Sequence, residues 1–368
     1  GPCSALSAAS VSRLAEDPEL TMTLCLTPSH SDHSRSNART ALAAWLATRS
    51  GGGSFVWRVE DLDPPRVVPG AAEAAMDDLA WLGLDWDEGP GRGGPFAPYV
   101  QSLRSSHYEA ALQALHDAGR LFPCSLSRRE LSSLASAPHG PEDEAPGPPS
   151  PDPRGLAPGW FAERRGRTGD RGSALRFILR EETVAFTDRV QGLVEAAVAG
   201  NFVLQRRDGL YAYQLAVVVD DWAMQVDEVV RGADLLDSTP RQIYLQRLLD
   251  APTPRYCHVP VAVNERGEKL SKQTLAAPVD DARPLPALVN ALRFLGQQPP
   301  DNLADTTPGE FWQWALGHWQ LARIPRRRTA PPTISPARVW RTPARSNRHC
   351  ASPHAWPPRA RIEQQALP

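Results

Sequence analysis

Two lysines, Lys269 and Lys272, stand three residues apart in a polar segment, residues 263–274, that also contains a glycine. Two amines at this spacing in a mobile loop can close on one polyphosphate and neutralise the charge that builds on its leaving phosphates. A loop suits this role better than a helix because the amines have to move. Most Lys-x-x-Lys segments are solvated surface, so this interpretation depends on the rest of the chain.

A group of acids follows the clearest predicted strand, residues 54–59. Glu60, Asp61 and Asp63 come directly after this strand and are followed by two prolines. In α/β sheets, ligands bind at the carboxyl ends of the strands. The alternative is a solvated loop that caps the next helix. The order strand, helix, strand over residues 24–59 favours the ligand-binding interpretation.

The elements that must position these residues alternate along the chain between short apolar strands and amphipathic helices. Helices are predicted from residue 37 to the glycines at 51–53, and over residues 71–82, 103–118 (with Ser102 as N-cap), 239–249, 287–295 and 311–321. Strands are predicted over residues 24–26, 54–59, 174–179, 184–188, 202–206, 229–234 and 258–263. An apolar run, residues 210–219, stops at Asp220 and Asp221.

Composition limits the class of protein. A chain of 368 residues with 41% hydrophobic residues has room for two domains or one large α/β domain. The net charge of -2 excludes a uniformly basic nucleic-acid binder. Five scattered cysteines without a Cys-x-x-Cys pair fit a reducing compartment. With no secretory signal and no membrane-length apolar run, we expect a cytoplasmic protein with no membrane contact.

Three segments predict irregular structure. Residues 1–22 have no clear period and are predicted to be a flexible leader, and residues 137–158 form a Pro-rich loop. In residues 326–368 many arginines face a single acid, Glu363, without a hydrophobic period. This tail is predicted to be disordered. A nucleic-acid-binding tail and out-of-frame translation are alternatives.

Three stretches carry a resemblance to a known family. They are residues 58–71 (Arg-Val-Glu-Asp-Leu-Asp-Pro-Pro-Arg-Val-Val-Pro-Gly-Ala), residues 207–221 (Arg-Asp-Gly-Leu-Tyr-Ala-Tyr-Gln-Leu-Ala-Val-Val-Val-Asp-Asp) and residues 269–274 (Lys-Leu-Ser-Lys-Gln-Thr). The third is similar to the KMSKS loop of class I aminoacyl-tRNA synthetases of the glutamyl type. The double proline and the final Gln-Thr resemble the short glutamyl-queuosine tRNA(Asp) synthetases of that family.

The resemblance implies an α/β fold with a Rossmann-type class I catalytic core, residues 23–121 and 205–325. A small α+β insertion domain, residues 122–204, would interrupt this core. The resemblance also implies that ATP, with Mg²⁺, activates glutamate to glutamyl adenylate. The glutamyl group would then pass to the queuosine base of tRNA(Asp), so the expected partners are glutamate, ATP and tRNA(Asp). A monomer is expected.

The resemblance assigns four residues to glutamate: Ser29, Glu60, Tyr213 and Arg231. Glu60 would hold the substrate ammonium, and Tyr213 would donate a hydrogen bond. Arg231 would pair with a substrate carboxylate, a geometry that suits a bidentate guanidinium.

The resemblance assigns the ATP side of the site to Pro28, His33, Asn37 and Lys272. Lys272, with Lys269, would be the catalytic residue that neutralises the phosphates. Activation is an in-line attack of the carboxylate on the α-phosphate, so positioning and charge stabilisation supply most of the rate.

The first signature of the family, the HIGH motif, is degenerate here. Residues 27–36 are one residue short and lack the family glycine. His33 stands four residues before Asn37, where the family histidine stands three before it, and Cys25 occupies the place of the family arginine. Either a local frame shift that recovers at Asn37 or true divergence would explain this. Because one lost electrostatic donor costs about 3–4 kcal/mol, we expect weak or absent turnover.

Some relatives bind zinc, but only Cys124 of their ligand set remains, because Leu126 occupies the second position. Tetrahedral zinc needs four ligands, or three and a water. We therefore predict no bound zinc and no metal held by protein ligands. Two other functions stay open: a non-catalytic pseudo-synthetase that binds tRNA or glutamate, and a truncated glutamyl-tRNA synthetase.

Overall fold

The computed structural model describes residues 21–26, 35–64, 67–125, 163, 172–180, 182–198, 200–264, 266–267 and 284–331. Five residues with a predicted role in the site lie outside these ranges: Pro28, Ser29, His33, Lys269 and Lys272. The predicted Pro-rich loop and most of the predicted leader and tail also lie outside them.

The strands are β1 (Thr21–Leu26), β2 (Ser54–Val59), β3 (Leu121–Cys124), β4 (Ala174–Phe177), β5 (Glu182–Asp188), β6 (Gly192–Val198), β7 (Val203–Gln205), β8 (Glu228–Gly232), β9 (Arg255–Val259), β10 (Val261–Ala262) and β11 (Thr329–Ala330). The α-helices are α1 (Arg35–Ser50), α2 (Ala71–Leu82), α3 (Ser105–Asp117), α4 (Tyr213–Ala223), α5 (Thr239–Leu248), α6 (Pro284–Phe294) and α7 (Pro308–His318). Short 3₁₀ turns include Gln101–Leu103 and Ala233–Ser238.

The main sheet has six strands in the order β2-β1-β8-β9-β5-β6. All neighbouring pairs are parallel except β5 and β6, which form an antiparallel pair. From β1 the chain crosses through α1 to β2 on one side, whereas β8 pairs with the other side of β1. The strand order therefore reverses between β1 and β8, and the crevice at their carboxyl ends is where such sheets bind ligands.

Apolar packing covers both faces of this sheet. Along β2, Phe55 and Trp57 belong to one buried cluster and Val56 to another, because successive strand residues point to opposite faces. The first cluster contains residues of α1 and α6, such as Leu42, and the second contains residues of α3 and α4. The predicted α/β class is confirmed by this architecture.

A second sheet of three antiparallel strands has the order β3-β4-β7. β5 and β6 lie between its strands in sequence, yet β5 pairs with β9 through Asp188 and Tyr256. The predicted insertion segment, residues 122–204, thus contributes strands to both sheets.

The start of α3 differs from the prediction. Ser102 lies in the Gln101–Leu103 turn, α3 begins at Ser105, and its N-cap position is Arg104. Ser102 does not cap the helix because its hydroxyl donates to Oδ2 of Asp61 at 2.6 Å. The helix therefore starts two residues later than predicted from the sequence.

Candidate active site

Arg58 is the centre of a group of buried charges at the carboxyl end of β2. Its side chain is 0% exposed, and Nη1 donates to Oδ1 of Asp221 at 2.7 Å. Nη2 donates to Oε1 of Glu60 at 3.2 Å. Arg58 and Glu60 share a face because they are two residues apart along an extended chain. The arginine thereby fixes the carboxylate that follows the strand.

Asp220, the neighbour of Asp221 in α4, is held by three donors. Nε of Arg104 lies 2.6 Å from Oδ1, and the Tyr108 hydroxyl and the Gln101 amide donate to Oδ2 at 2.8 Å. Burial raises the pKa of Tyr108, and the charge of Asp220 adds to this shift. The hydroxyl therefore stays protonated and can act as a donor.

The five charged groups of this region do not cancel. The carboxylates of Glu60, Asp220 and Asp221 face the guanidinium groups of Arg58 and Arg104. Burial raises the pKa of Asp221, which the charge of Arg58 opposes. With all three acids ionised, these five side chains carry three negative and two positive charges, and the positive charge of Arg231 also acts on Asp221.

Arg231 lies in β8 with 9% of its surface exposed. Nη2 donates to Oγ1 of Thr239 at 2.8 Å and to Oε1 of Gln242 at 2.7 Å, both from α5. Nε donates to Nε2 of His258 at 2.9 Å. The guanidinium also lies over the ring of Tyr256, 5.3 Å from its centroid. These contacts hold a positive charge near the carboxyl end of β8.

His258 and Asp188 lie behind Arg231 and are both completely buried. Burial lowers the pKa of His258 to about 4; the hydrogen bond to Asp188 opposes this shift, and the charge of Arg231 adds to it. Burial opposes ionisation of Asp188, but hydrogen bonds from His258 and from the backbone of Gln191 keep its pKa below the usual range. At neutral pH the pair is a neutral imidazole and a carboxylate.

Tyr213 is the first residue of α4 and is 38% exposed. Its neighbour Gln214 accepts a hydrogen bond of 2.9 Å from Gln242, which also contacts Arg231. Glu60 is linked to the same helix through Arg58 and Asp221. The structure thus links Glu60 to α4, the helix that begins at Tyr213, and links Arg231 through Gln242 to Gln214, the residue after Tyr213.

Asn37, predicted for the ATP side, lies in the first turn of α1, the helix that follows β1. Cys124 ends β3 as a buried free thiol. Within the described ranges, no group of three or more His, Cys, Asp or Glu residues is arranged to hold a metal ion. Over the same ranges, no helix is both long and apolar enough to span a bilayer.

Several residues of this network were not singled out from the sequence: Arg58, Asp188, His258, Thr239 and Gln242. Two signals were available. Arg58 is a charge inside an otherwise apolar strand, and Asp220 and Asp221 end an apolar run. Charges inside buried elements are rarely left without partners. The partners themselves come from distant parts of the chain.

A cavity of about 460 Å³ opens at the segment that follows Glu60. Its lining residues directly follow Glu60 or directly precede Tyr213, or lie at the start of α3: Asp61, Leu62, Pro64, Ser102, Ser105, Glu109, Gly209, Leu210 and Tyr211. Asp61 accepts hydrogen bonds from the backbone and hydroxyl of Ser102, and Glu109 accepts one of 2.7 Å from Tyr211. The cavity combines apolar walls with two carboxylates.

Comparison with known proteins gives consistent results. The family profile described as tRNA synthetases class I (E and Q), catalytic domain, matches residues 36–306. A protein of Symbiobacterium thermophilum named glutamyl-Q tRNA(Asp) synthetase is 45% identical over 307 residues, which cover 82% of this chain and 92% of that protein. A protein of the same name from Geobacter sulfurreducens is 45% identical over 293 residues, covering 77% and 87%.

Two solved structures are similar in fold. A glutamate-tRNA synthetase from Elizabethkingia anophelis has a TM-score of 0.65 and 23% identity, covering 84% of this chain and 67% of that one. A glutamate tRNA ligase from Elizabethkingia meningosepticum, solved in complex with its amino acid, has a TM-score of 0.66 and 23% identity, covering 86% and 67%. Both support the α/β catalytic-domain fold.

Proposed function

Because this chain belongs to the class I tRNA synthetase (E and Q) family, and within it to the glutamyl-Q tRNA(Asp) synthetases, we propose that it activates glutamate with ATP and transfers the glutamyl group to the queuosine base of tRNA(Asp). The observation that carries the proposal is the pair of fixed, opposite charges at the reversal of strand order. The Glu60 carboxylate and the Arg231 guanidinium match the two charged groups of glutamate that do not react.

Glutamate would bind by these charges. Its ammonium group would lie at Glu60, whose carboxylate is held by Arg58 at 3.2 Å. Its side-chain carboxylate would lie at Arg231, and Tyr213 at the start of α4 would donate a hydrogen bond. This leaves the α-carboxylate facing the segment after β1, where ATP would bind. Binding energy at the two ends would thus orient the reacting group.

The ATP side would be formed by residues outside the described ranges and by the start of α1. Pro28, Ser29 and His33 follow β1, which ends at the reversal of strand order, and Asn37 lies in the first turn of α1. Lys269 and Lys272 follow β10 and would neutralise the pyrophosphate as it leaves. Mg²⁺ bound with ATP would offset part of the negative charge of the phosphates in the same reaction. We expect the reaction to take place in the cytoplasm, where ATP and tRNA are found.

The acceptor base would enter the cavity beside Glu60. Queuosine carries a secondary amine and a cyclopentene diol, and carboxylates such as Asp61 and Glu109 accept hydrogen bonds from both kinds of group. One hydroxyl would lose its proton as its oxygen attacks the carbonyl carbon of glutamyl adenylate. An ester would form and AMP would leave.

Two assays with the full chain test the proposal. Glutamate-dependent exchange between ATP and pyrophosphate reports activation, and labelled glutamate reports transfer. We expect label in tRNA(Asp) that contains queuosine, and none in tRNA(Asp) prepared without queuosine or in tRNA(Glu). Label in tRNA(Glu) would instead identify a glutamyl-tRNA synthetase. Binding of tRNA or glutamate with no exchange would identify a pseudo-synthetase, the alternative that the degenerate residues 27–36 leave open.

A further inference from the structure

Arg231 and His258 are register partners on the neighbouring parallel strands β8 and β9. Their side chains meet with Nε of the arginine 2.9 Å from Nε2 of the imidazole. An arginine side chain remains protonated in proteins, so its Nε–H is always a donor. Nε2 of His258 must therefore be the acceptor, and the imidazole hydrogen must lie on Nδ1.

Asp188 receives that hydrogen. Oδ2 of Asp188 lies 2.6 Å from Nδ1 of His258. The other oxygen, Oδ1, accepts backbone hydrogen bonds of 2.9 and 2.8 Å from Val190 and Gln191. Because these backbone donors fix the carboxylate, the carboxylate fixes both the tautomer and the ring orientation of the histidine. The chain of contacts runs from β5 through β9 to β8, across three neighbouring strands.

The contacts of Arg231 with His258, Thr239 and Gln242 leave one nitrogen of its guanidinium for another partner. Nε is bound to His258, and Nη2 is bound to Thr239 and Gln242. Among the residues that the structure describes, Nη1 of Arg231 has no hydrogen-bond partner. Since three partners restrain the other two nitrogens, the direction of the Nη1 donors is determined before a substrate arrives.

We propose that Asp188 and His258 are positioning residues that hold the Arg231 guanidinium in one orientation and thereby make the site selective for a side-chain carboxylate over an amide. This inference rests on the proposed role of Arg231 in glutamate binding. A restrained guanidinium loses little freedom when a carboxylate binds. The carbonyl oxygen of an amide could accept from Nη1, but an amide has no negative charge to compensate the guanidinium, and a hydrogen bond between two charged groups is the stronger one.

The Asp188→Asn variant is the sharpest probe. Its amide would keep the oxygen towards the backbone donors and present NH₂ to Nδ1 of His258. The imidazole would then carry its hydrogen on Nε2, facing the Nε–H of Arg231. An asparagine in place of an aspartate that orients a histidine produces the wrong tautomer while preserving the local geometry. His258→Leu removes the acceptor, whereas His258→Gln retains an oxygen near the position of Nε2.

The test measures binding of glutamate and of glutamine to the full chain by calorimetry, which requires no turnover. We expect Asp188→Asn and His258→Leu to weaken glutamate binding by at least about tenfold. Both variants should also lower the ratio of glutamate affinity to glutamine affinity. His258→Gln should retain more of the glutamate affinity and more of the preference for glutamate over glutamine than His258→Leu does. Thr48→Val is the matched control, because Thr48 is fully buried and its hydroxyl bonds within α1, to the carbonyl of Ala44. It should lower the melting temperature and leave the ratio unchanged.

The outcomes separate two failures. If the wild-type chain does not bind glutamate, the proposed function is wrong and the inference is overturned with it. If the wild type prefers glutamate and the folded variants retain the same ratio, the inference alone is wrong. If Asp188→Asn and His258→Leu do not fold, His258→Gln decides, because a wild-type ratio with wild-type affinity in that variant would show that the contact with Asp188 is not needed.

Discussion

Arg58 and Asp221 form an ion pair of 2.7 Å whose side chains are 0% and 10% exposed, although they are 163 residues apart in sequence. The pair joins β2 to α4. Glu60 directly follows β2, and Tyr213 is the first residue of α4. Two charges that are removed from water must compensate each other, so loss of one partner leaves the other without compensation. The geometry of the glutamate site therefore depends on this contact.

Replacing Arg58 by Met should lower the free energy of unfolding by about 3–5 kcal/mol, the usual cost of breaking a buried ion pair. Urea denaturation measures this. Arg328→Met is the matched control, because Arg328 contacts Asp237 at 2.7 Å but their side chains are 53% and 63% exposed. Exposed pairs contribute about 0–1 kcal/mol. A similar decrease in the free energy of unfolding in both variants would show that burial does not increase the contribution of the Arg58 ion pair.

Replacing Glu60 by Gln should weaken glutamate binding by about tenfold to a hundredfold, because a hydrogen bond to a charged group contributes roughly 1.5–3 kcal/mol. Calorimetry with glutamate measures the change. Glu73→Gln, on the exposed face of α2, removes the same charge elsewhere and should leave binding unchanged. Equal affinity in the two variants would remove Glu60 from the proposed site.

The stability of the protein should decrease as the pH falls from about 6.5 to about 4. Burial lowers the folded-state pKa of His258 to about 4 from the ordinary value of 6.5. In this window the unfolded chain binds a proton that the folded chain does not, so unfolding becomes more favourable as the pH decreases. The contribution of His258 is present above pH 6.5 and amounts to roughly 3 kcal/mol.

Urea denaturation at pH 7 and pH 5 measures this loss, and His258→Gln should reduce it, since glutamine does not titrate. The same dependence on pH in wild type and variant would assign the effect to other groups. Asp188 cannot produce it in this window, because its pKa is held below the usual range of an aspartate.

Gly119 and Gly296 both follow a helix and have a left-handed backbone, but they differ in the room available for a Cβ atom. Gly119 and Gly296 have φ angles of 66° and 74°. A Cβ at Gly119 would meet no atom within 4 Å, whereas one at Gly296 would collide with the backbone carbonyl oxygen of Arg323. Gly119→Ala should cost about 1–2 kcal/mol, and Gly296→Ala more than about 3 kcal/mol. Equal losses of stability on urea denaturation would show that the backbone near Arg323 yields easily.

The local sequence predicted individual elements well where a regular period and clear ends coincide. The predicted strand over residues 54–59 and the predicted helix over residues 71–82 have the observed bounds of β2 and α2. β6 was not predicted, because its sequence, Gly-Leu-Val-Glu-Ala-Ala-Val, mixes two valines with a glycine, a glutamate and two alanines, which are depleted in strands. It forms because β5 supplies an antiparallel partner.

By itself, the sequence determined the α/β class, the acids after β2 and the likeness of residues 269–274 to a known loop, since these depend on residue type and short spacing. The tertiary structure decided which partner each buried charge has. Arg58 contacts Asp221, and Arg231 contacts His258, which contacts Asp188, because parallel strands and helices from distant segments converge at one edge of the sheet. No local pattern specifies such pairs, since they depend on packing between elements rather than on the conformation of any one.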